Sequence, residues 1–202
     1  MNSSPGIIAL PEPETSGETP LETLLQQRRS VREYSEAALE LAAIGQLLWA
    51  AQGITDPQGL RTAPSAGALY PLELYVVAGN VEGLTPGVYH YQPDRHGLQQ
   101  TSTGDQRRLL AHAAHGQSWV RTAAAVVVIT AVYKRTTGKY ADRGVRYVLM
   151  EVGHAAQNLF LQAEALGLAA VVVGAFEDEA VATALGLATD EQPLMLFPVG
   201  SK

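Results

Sequence analysis

Three arginines and a serine fall within five residues near the start of the chain, in Arg28-Arg29-Ser30-Val31-Arg32. Guanidinium groups this close repel one another unless an anion lies between them. The guanidinium fork matches the oxygens of a phosphate group, and a serine hydroxyl adds another donor. These four polar residues are therefore predicted to bind a phosphate, and Lys202, which follows an apolar segment, offers a further cation. The alternative is a solvated basic face paired with acidic residues elsewhere.

Two other segments are rich in small residues. Pro64-Ser65-Ala66-Gly67 is followed by Ala68, and Gly174-Ala175 follows an apolar, β-branched run. Small residues let the backbone approach a flat ligand closely. Backbone N–H groups at a strand end suit a heterocycle that gains negative charge on reduction. The alternatives are an ordinary surface loop for the first segment and a plain strand-to-helix turn for the second.

Lys139 and Tyr140 place a base and an acid side by side, which is the combination that proton transfer needs. Arg143, Arg146 and Tyr147 follow at spacings that share one helix face. The alternative is that Lys139 and Tyr140 belong to the polar first turn of a long helix.

A metal site is not expected. Glu151, His154 and Asn158 share one helical face, but no second histidine-rich segment completes a ligand set. Interior polar residues satisfied by neighbouring helices are the simpler interpretation. The chain contains no cysteine, which excludes disulfides, thiolate metal sites and cysteine nucleophiles.

Composition narrows the class of protein. The chain has 202 residues, of which 47% are hydrophobic, enough for one domain with a substantial core. With 14 basic and 20 acidic residues, its net charge of −6 argues against nucleic acid as a partner. It lacks a signal-peptide pattern and an apolar run of about 18 residues, so no membrane association and a cytoplasmic location are expected.

Periodicity predicts an α+β fold with a mixed sheet flanked by helices. Residues 1–20, rich in proline and glutamate, form either an extended N-terminal arm or a disordered tail, and residues 21–202 form the domain. Helices are predicted at 21–28, 38–52, 105–115, 141–166 and 177–185. Strands are predicted at 72–78, 88–91, 123–131, 169–173 and 194–199. Pro198 places the last of these at a sheet edge or a strand end. The chain has neither GxGxxG nor GxxxxGK[ST], so side chains must hold any phosphate.

Together these segments resemble the nitroreductase family of FMN-dependent oxidoreductases. Within it they are most similar to the SagB-type branch, which includes the azoline dehydrogenases of thiazole- and oxazole-containing peptides. The matching segments, which run from about residue 20 to residue 202, are RRSVR (28–32), PSAGALYP (64–71), GVYHY (87–91), Lys139-Tyr140 with 143–147, EVGHAAQN (151–158), Gly167-Leu168 and Gly174-Ala175-Phe176.

The resemblance implies a nitroreductase-like fold in a domain-swapped homodimer, with FMN bound across the subunit interface. It assigns the FMN phosphate and ribityl chain to Arg28, Arg29, Ser30 and Arg32, with Lys202 nearby. It places Gly174 and Ala175 along the flavin ring, and it takes Pro64, Ser65, Ala66 and Gly67 from the partner subunit. Lys139 would be the base in azoline oxidation, and Tyr140 a proton relay or orienting hydroxyl.

The expected function is therefore oxidation of an azoline, or of a related small-molecule or peptide substrate, by hydride transfer to FMN. One alternative is a broad nitro- or quinone-reductase that uses NAD(P)H, which family members bind without a Rossmann fold. Another is a flavin-binding subunit without turnover, against which the Lys139-Tyr140 pair argues.

Overall fold

A computed structural model describes residues 6–202 and places a seven-stranded sheet between two layers of helices. The strands are β1 (Ile7–Ala9), β2 (Leu72–Ala78), β3 (Gly87–Gln92), β4 (Gly97–Thr103), β5 (Ala125–Ala131), β6 (Leu168–Ala170) and β7 (Gln192–Ser201). The helices are α1 (Leu21–Gln27), α2 (Leu41–Gln52), α3 (Arg107–Ala113), α4 (Ser118–Thr122), α5 (Lys134–Tyr140), α6 (Arg143–Ala165) and α7 (Asp178–Leu185). Residues 1–5 of the predicted arm lie outside the described range.

The strand order is β1-β4-β3-β2-β5-β7-β6, and every neighbouring pair is antiparallel. The prediction of a mixed sheet is therefore wrong. The crossover through α5 and α6 does make β5 and β6 run in the same direction. However, β7 lies between them and opposes both, so no parallel ladder forms between named strands.

Successive side chains of the central strands point to opposite faces of the sheet. The hydrophobic core therefore consists of two layers, one on each face. In β2, Leu74 and Val76 face the side covered by α2 and α6. Tyr75 and Val77 face the opposite side, which α3, α4 and α7 cover. All seven residues of β5 are buried, as expected for a strand with apolar layers on both faces. Burying one such Val or Leu side chain contributes about 1.5–3 kcal/mol, which makes this sandwich a rigid support.

Four elements were not predicted as helices or strands, namely β1, β4, α4 and α5, and two of these were missed because their residues are polar. Strand β4 alternates poorly, and helix α5 contains Thr136, Thr137 and Gly138. The expectation for Pro198 is also wrong, because β7 is an interior strand. Pro198 is tolerated because β6 pairs only with residues from Val199 onward, and the Pro198 carbonyl accepts a hydrogen bond from Val171 N–H at 3.3 Å.

The apolar patch of the predicted arm lies on this chain's own sheet. Ile7–Ala9 pairs with β4, and Leu10 is buried against the core. The Pro11 carbonyl oxygen lies 3.0 Å from Nε2 of His96. Within the described range, no helix combines the length and the apolar character that crossing a bilayer requires.

Candidate active site

The arginine segment leaves α1 and runs along the ends of the last two strands. Val31 N–H donates to the Ala170 carbonyl at 2.8 Å, and Ser35 N–H donates to the Ser201 carbonyl at 2.9 Å. These two backbone hydrogen bonds bring Arg28-Arg29-Ser30-Val31-Arg32 beside β6 and the end of β7. Residues from the two ends of the chain therefore meet at one edge of the sheet.

The three guanidinium groups of this segment have no carboxylate partner among residues 6–202. Arg28 lies over the Phe160 ring at 5.0 Å, and Arg32 lies over the Trp119 ring at 5.4 Å. Arg29 donates to two backbone carbonyls of its own segment. Three cations without a counter-ion, in a protein of net charge −6, form a donor set that fits a dianionic phosphate.

Lys202 lies at the same edge of the sheet. Its Nζ forms an ion pair with Glu164 Oε1 at 3.2 Å. Half of the Lys202 side chain is exposed, whereas Glu164 is largely covered. The structure thus brings Lys202 to the strand end beside the arginine segment, but with its charge partly neutralised.

The turn at Gly174-Ala175 leads from the end of the short strand β6 towards α7. The Ala175 carbonyl accepts a hydrogen bond from Gln117 Nε2 at 3.1 Å. Trp119, two residues further, stacks under Arg32, and its buried Nε1 has no hydrogen-bond partner in the described part of the chain. Gln117 and Trp119 thus join the turn to the arginine segment. Sequence reasoning missed them, although an isolated tryptophan just before a buried strand was an available signal.

A second group of predicted site residues meets around Gly67. A β-carbon at Gly67 would lie 2.8 Å from the Tyr140 hydroxyl and 3.0 Å from Lys139 Nζ. Both side chains therefore lie directly against the Gly67 backbone, and a β-carbon there would displace their ends. Pro64, Ser65 and Ala66 precede it in the same loop.

The loop around Gly67 has an unusual backbone. Gly67, Ala68 and Tyr70 all have positive φ, at 66°, 54° and 44°. For residues with a β-carbon this region is disfavoured, and such strain persists only where surrounding contacts impose it. Here Tyr70 N–H donates to Ser65 Oγ at 2.9 Å, and Arg135 of α5 donates to the Tyr70 carbonyl at 3.0 Å.

Helix α5 is a separate element, so Lys139 and Tyr140 close a short helix instead of opening the long one. Ala141, at φ 46°, breaks the chain between α5 and α6. Gly144 lets the two helices approach, because a β-carbon there would lie 2.8 Å from Thr137 Cα. The Tyr140 ring meets the Tyr147 ring edge-on, with centroids 5.1 Å apart. The polar end of α5 is thereby held against the first turns of α6.

Buried polar side chains pack beside the second group of predicted site residues, the loop around Gly67 with Lys139 and Tyr140. Arg61 stacks on the Tyr70 ring at 4.6 Å and donates to Gln52 Oε1 at 2.8 Å. Burial lowers the pKa of Arg61, and the charge of Glu73 acts in the opposite direction. Burial raises the pKa of Glu73, but hydrogen bonds from His90 and Arg135 outweigh it, so the Glu73 pKa lies below its usual value. The ion pair between Glu73 of β2 and Arg135 of α5 thus joins the strand to the helix.

Glu151, His154 and Asn158, which were predicted to share one helical face, lie in different environments. Asn158 Nδ2 donates to the Ala50 carbonyl at 2.9 Å, which satisfies it within the helix packing. Glu151 is buried, and its Oε1 has no hydrogen-bond partner in the described part of the chain. Burial raises the pKa of Glu151 to about 7, while the neighbouring Ser65 side chain and the charge of Arg61 act in the opposite direction. His154 is exposed. Sequence reasoning weighed these residues together and did not separate the buried Glu151 from the exposed His154.

No hydrogen bond or ion pair within residues 6–202 joins the two groups of predicted site residues. Glu151 lies near Ser65 and Arg61 of the second group, and Glu164 contacts Lys202 of the first. Both glutamates lie on α6, 13 residues apart. At 1.5 Å per residue, that separation is about 20 Å.

The fold agrees with comparisons to known proteins. The model of the Nitroreductase family matches residues 25–201, so the chain belongs to that family. The protein is therefore an oxidoreductase, and the predicted nitroreductase-like fold class is confirmed by solved structures as well. Members of the family generally bind FMN.

Individual relatives agree with this assignment. The nitroreductase-family protein MJ1384 of Methanocaldococcus jannaschii is 48% identical over 195 residues, covering 96% of each chain. The microcin B17-processing protein McbC of Escherichia coli is 32% identical over 155 residues, covering 74% of this chain and 57% of McbC. The crystal structure of a nitroreductase-family protein from Ralstonia eutropha JMP134 superposes with a TM-score of 0.85 at 31% identity, covering 100% of this chain and 91% of that one.

Proposed function

We propose that this protein is an FMN-dependent dehydrogenase of the SagB type that oxidises an azoline or a related small-molecule or peptide substrate. The observation that carries the proposal is the packing of Lys139 and Tyr140 against the Gly67 backbone. A base and a hydroxyl are thereby presented together at a glycine-lined surface. The similarity to McbC, the microcin B17-processing protein, supports a substrate of this class.

The arginine segment is the proposed phosphate site for FMN. Arg28, Arg29 and Arg32 have no carboxylate partner in the described residues, and Ser30 is exposed beside them. The Gly174-Ala175 turn and Trp119 adjoin this segment and would line the ring. Bound FMN would supply the acceptor for the two electrons that leave the substrate.

A homodimer would complete the site. Glu151, near the second group, and Glu164, beside the first, are about 20 Å apart along α6. Pro64, Ser65, Ala66 and Gly67 would face the FMN of a partner subunit. The surfaces of α1 and α6 offer an interface, because they expose large apolar side chains that a monomer has no reason to expose. These are Leu21, Leu25, Val145, Leu149 and Met150, which are 43–55% exposed.

Lys139 and Tyr140 would handle the proton in the oxidation. An azoline becomes an azole when a ring carbon loses a proton and the neighbouring position loses two electrons and a second hydrogen. The Lys139 amine would take the proton, and the Tyr140 hydroxyl would orient the ring or relay that proton. The edge-on contact with Tyr147 holds the Tyr140 ring in place for either role.

A second function is reduction of nitro or quinone compounds with NAD(P)H. The 48% identity to a nitroreductase-family protein over nearly the whole chain favours it. A flavin-binding subunit without turnover is a weaker alternative, because such a subunit has no use for a paired base and hydroxyl.

Purified protein should bind FMN and oxidise an azoline peptide. Lys139→Ala should lower the rate of this oxidation by about 10²–10⁴-fold, because general-base catalysis contributes that much, while FMN content stays unchanged. Lys134→Ala, which removes an exposed lysine from the same helix, is the control. Turnover of nitroarenes with NAD(P)H but not of azolines would favour the second function, and absence of FMN binding would contradict both.

A further inference from the structure

The position of Lys139 and Tyr140 depends on how the short helix α5 is attached to the rest of the molecule. The helix has seven residues, and the one that is buried is the polar Thr136. A helix of this length is not stable by itself in water, and apolar burial adds little here. The polar contacts of its side chains therefore decide where the helix lies.

Arg135, on the first turn of α5, makes two such contacts. Its Nη1 donates to the Tyr70 carbonyl at 3.0 Å, and its Nη2 forms an ion pair with Glu73 Oε1. Within residues 6–202, no other side chain of α5 forms a hydrogen bond with the 65–70 loop or with β2. One guanidinium thus reaches two different elements, which a planar fork of donors allows and a single ammonium group does not.

Glu73 is a well-fixed partner for Arg135, because its side chain is only 16% exposed and both of its oxygens are used. Oε2 accepts a hydrogen bond from His90 Nε2 at 2.8 Å. The other ring nitrogen of His90 accepts from Gln92 Nε2 at 3.0 Å, so the ring proton lies on Nε2. The His90 ring also stacks on Tyr75, with centroids 4.6 Å apart. Strand β3 therefore holds the carboxylate in one orientation.

Tyr70, the other partner of Arg135, belongs to the strained part of the loop. Its φ is 44°, its N–H donates to Ser65 Oγ at 2.9 Å, and its hydroxyl accepts the Arg61 N–H at 3.2 Å. A disfavoured φ persists only where surrounding contacts impose it. Loss of the bond from Arg135 to the Tyr70 carbonyl should therefore let this part of the loop relax.

The helix and the loop meet at a second point. Lys139 follows Arg135 by four residues and so lies on the same face of α5. Lys139 and Tyr140 lie against Gly67, three residues before Tyr70. Resting on the proposed function, we propose that Arg135 is a positioning residue. Its guanidinium joins α5 to the 65–70 loop and to strand β2, and thereby fixes Lys139 and Tyr140 for the proton transfer.

The first test compares Arg135→Ala with the wild type, both loaded with FMN. In oxidation of a thiazoline peptide, kcat should fall about 10- to 100-fold while KM changes little, because displacement of a catalytic group slows the chemical step. In NMR spectra, the Gly67 and Tyr70 resonances should shift, since Gly67 moves relative to the Tyr140 ring. Lys134→Ala removes the neighbouring exposed lysine and should leave kcat and both resonances unchanged.

Two further variants separate the fork of donors from the charge. Arg135→Lys keeps a cation beside Glu73, so its melting temperature should stay near that of the wild type. One ammonium group cannot serve both acceptors, so kcat and the NMR resonances should resemble those of Arg135→Ala. Glu73→Gln leaves the bond to Tyr70 in place and should lower kcat less than Arg135→Ala does. The double variant should be no slower than Arg135→Ala alone, because both changes act through one guanidinium.

Unchanged Gly67 and Tyr70 resonances in Arg135→Ala, or a wild-type kcat in Arg135→Lys, would overturn the positioning role. The NMR measurement needs no substrate. A wild-type protein that does not oxidise thiazolines would therefore contradict the proposed function, while the NMR comparison still decides whether Arg135 fixes the helix against the loop.

Discussion

Replacing Glu151 by glutamine should change how the free energy of unfolding depends on pH. In the unfolded chain the carboxyl group titrates near its usual pKa of 4.5, whereas burial raises the pKa to about 7 in the folded protein. Each pKa unit corresponds to about 1.4 kcal/mol. The folded state is therefore penalised by about 3 kcal/mol for ionising Glu151, and glutamine removes that penalty.

The sign follows from proton binding. Between pH 4.5 and 7 the folded state holds a proton on Glu151 that the unfolded chain has already released. Stability contributed by this group is complete below pH 4.5, falls as the pH rises, and is lost above pH 7. Glu151→Gln lacks this decline, so its stability relative to the wild type should increase by about 3 kcal/mol from pH 4.5 to pH 8.

Urea unfolding of both proteins across this pH range measures the difference. With an m-value of about 2–3 kcal/mol/M, the midpoints should diverge by about 1 M. The five histidines occur in both proteins, so their titration cancels in the comparison. Protein and FMN concentrations must be equal, because binding and association add to stability. Two curves that stay parallel within about 1 kcal/mol would refute the buried, proton-holding environment assigned to Glu151.

Three other substitutions test the remaining parts of the structure. Arg32→Ala should weaken FMN binding roughly 10- to 150-fold, the value of a charged hydrogen bond, whereas Arg108→Ala, at an exposed position of α3, should leave the titrated Kd unchanged. Gly144→Ala should lower the melting temperature, because overpacking between α5 and α6 costs about 1–3 kcal/mol. Gly138→Ala, whose β-carbon meets nothing within 4 Å, should not lower it. Phe197→Ala should cost about 3–5 kcal/mol in chemical denaturation, since this ring is fully buried; a loss below 1 kcal/mol would show that the core repacks.

The long and strongly apolar elements were predictable from sequence. The helix expected at 141–166 is α6, at Arg143–Ala165, and the strand expected at 123–131 is β5, at Ala125–Ala131. Their patterns extend over many residues, so local exceptions do not hide them. Strand β4 and helix α5 were not predictable, because they are short and polar and owe their structure to the neighbours that pair with or pack against them.

The candidate site was only partly predictable. The residue types that could bind a phosphate or move a proton were visible in Arg28, Arg32, Lys139 and Tyr140. Their grouping was not predictable. The segment of Arg28 and Arg32 lies at the end of β7, whereas Lys139 and Tyr140 lie against Gly67. The support from Gln117 and Trp119 was also hidden, since neither residue belongs to a motif.

The sequence by itself determined the chemistry available to this protein: guanidinium groups and a lysine beside a tyrosine. It also supplied glycine where other elements approach the backbone closely, and enough β-branched residues for a buried sheet. Only the tertiary structure decided how these are used. It brought the arginine segment to the ends of β6 and β7 and placed Lys139 and Tyr140 against Gly67, and it buried Glu151 within α6. A pKa or a strained turn depends on burial and on neighbours brought together by folding, and side-chain type alone cannot specify either.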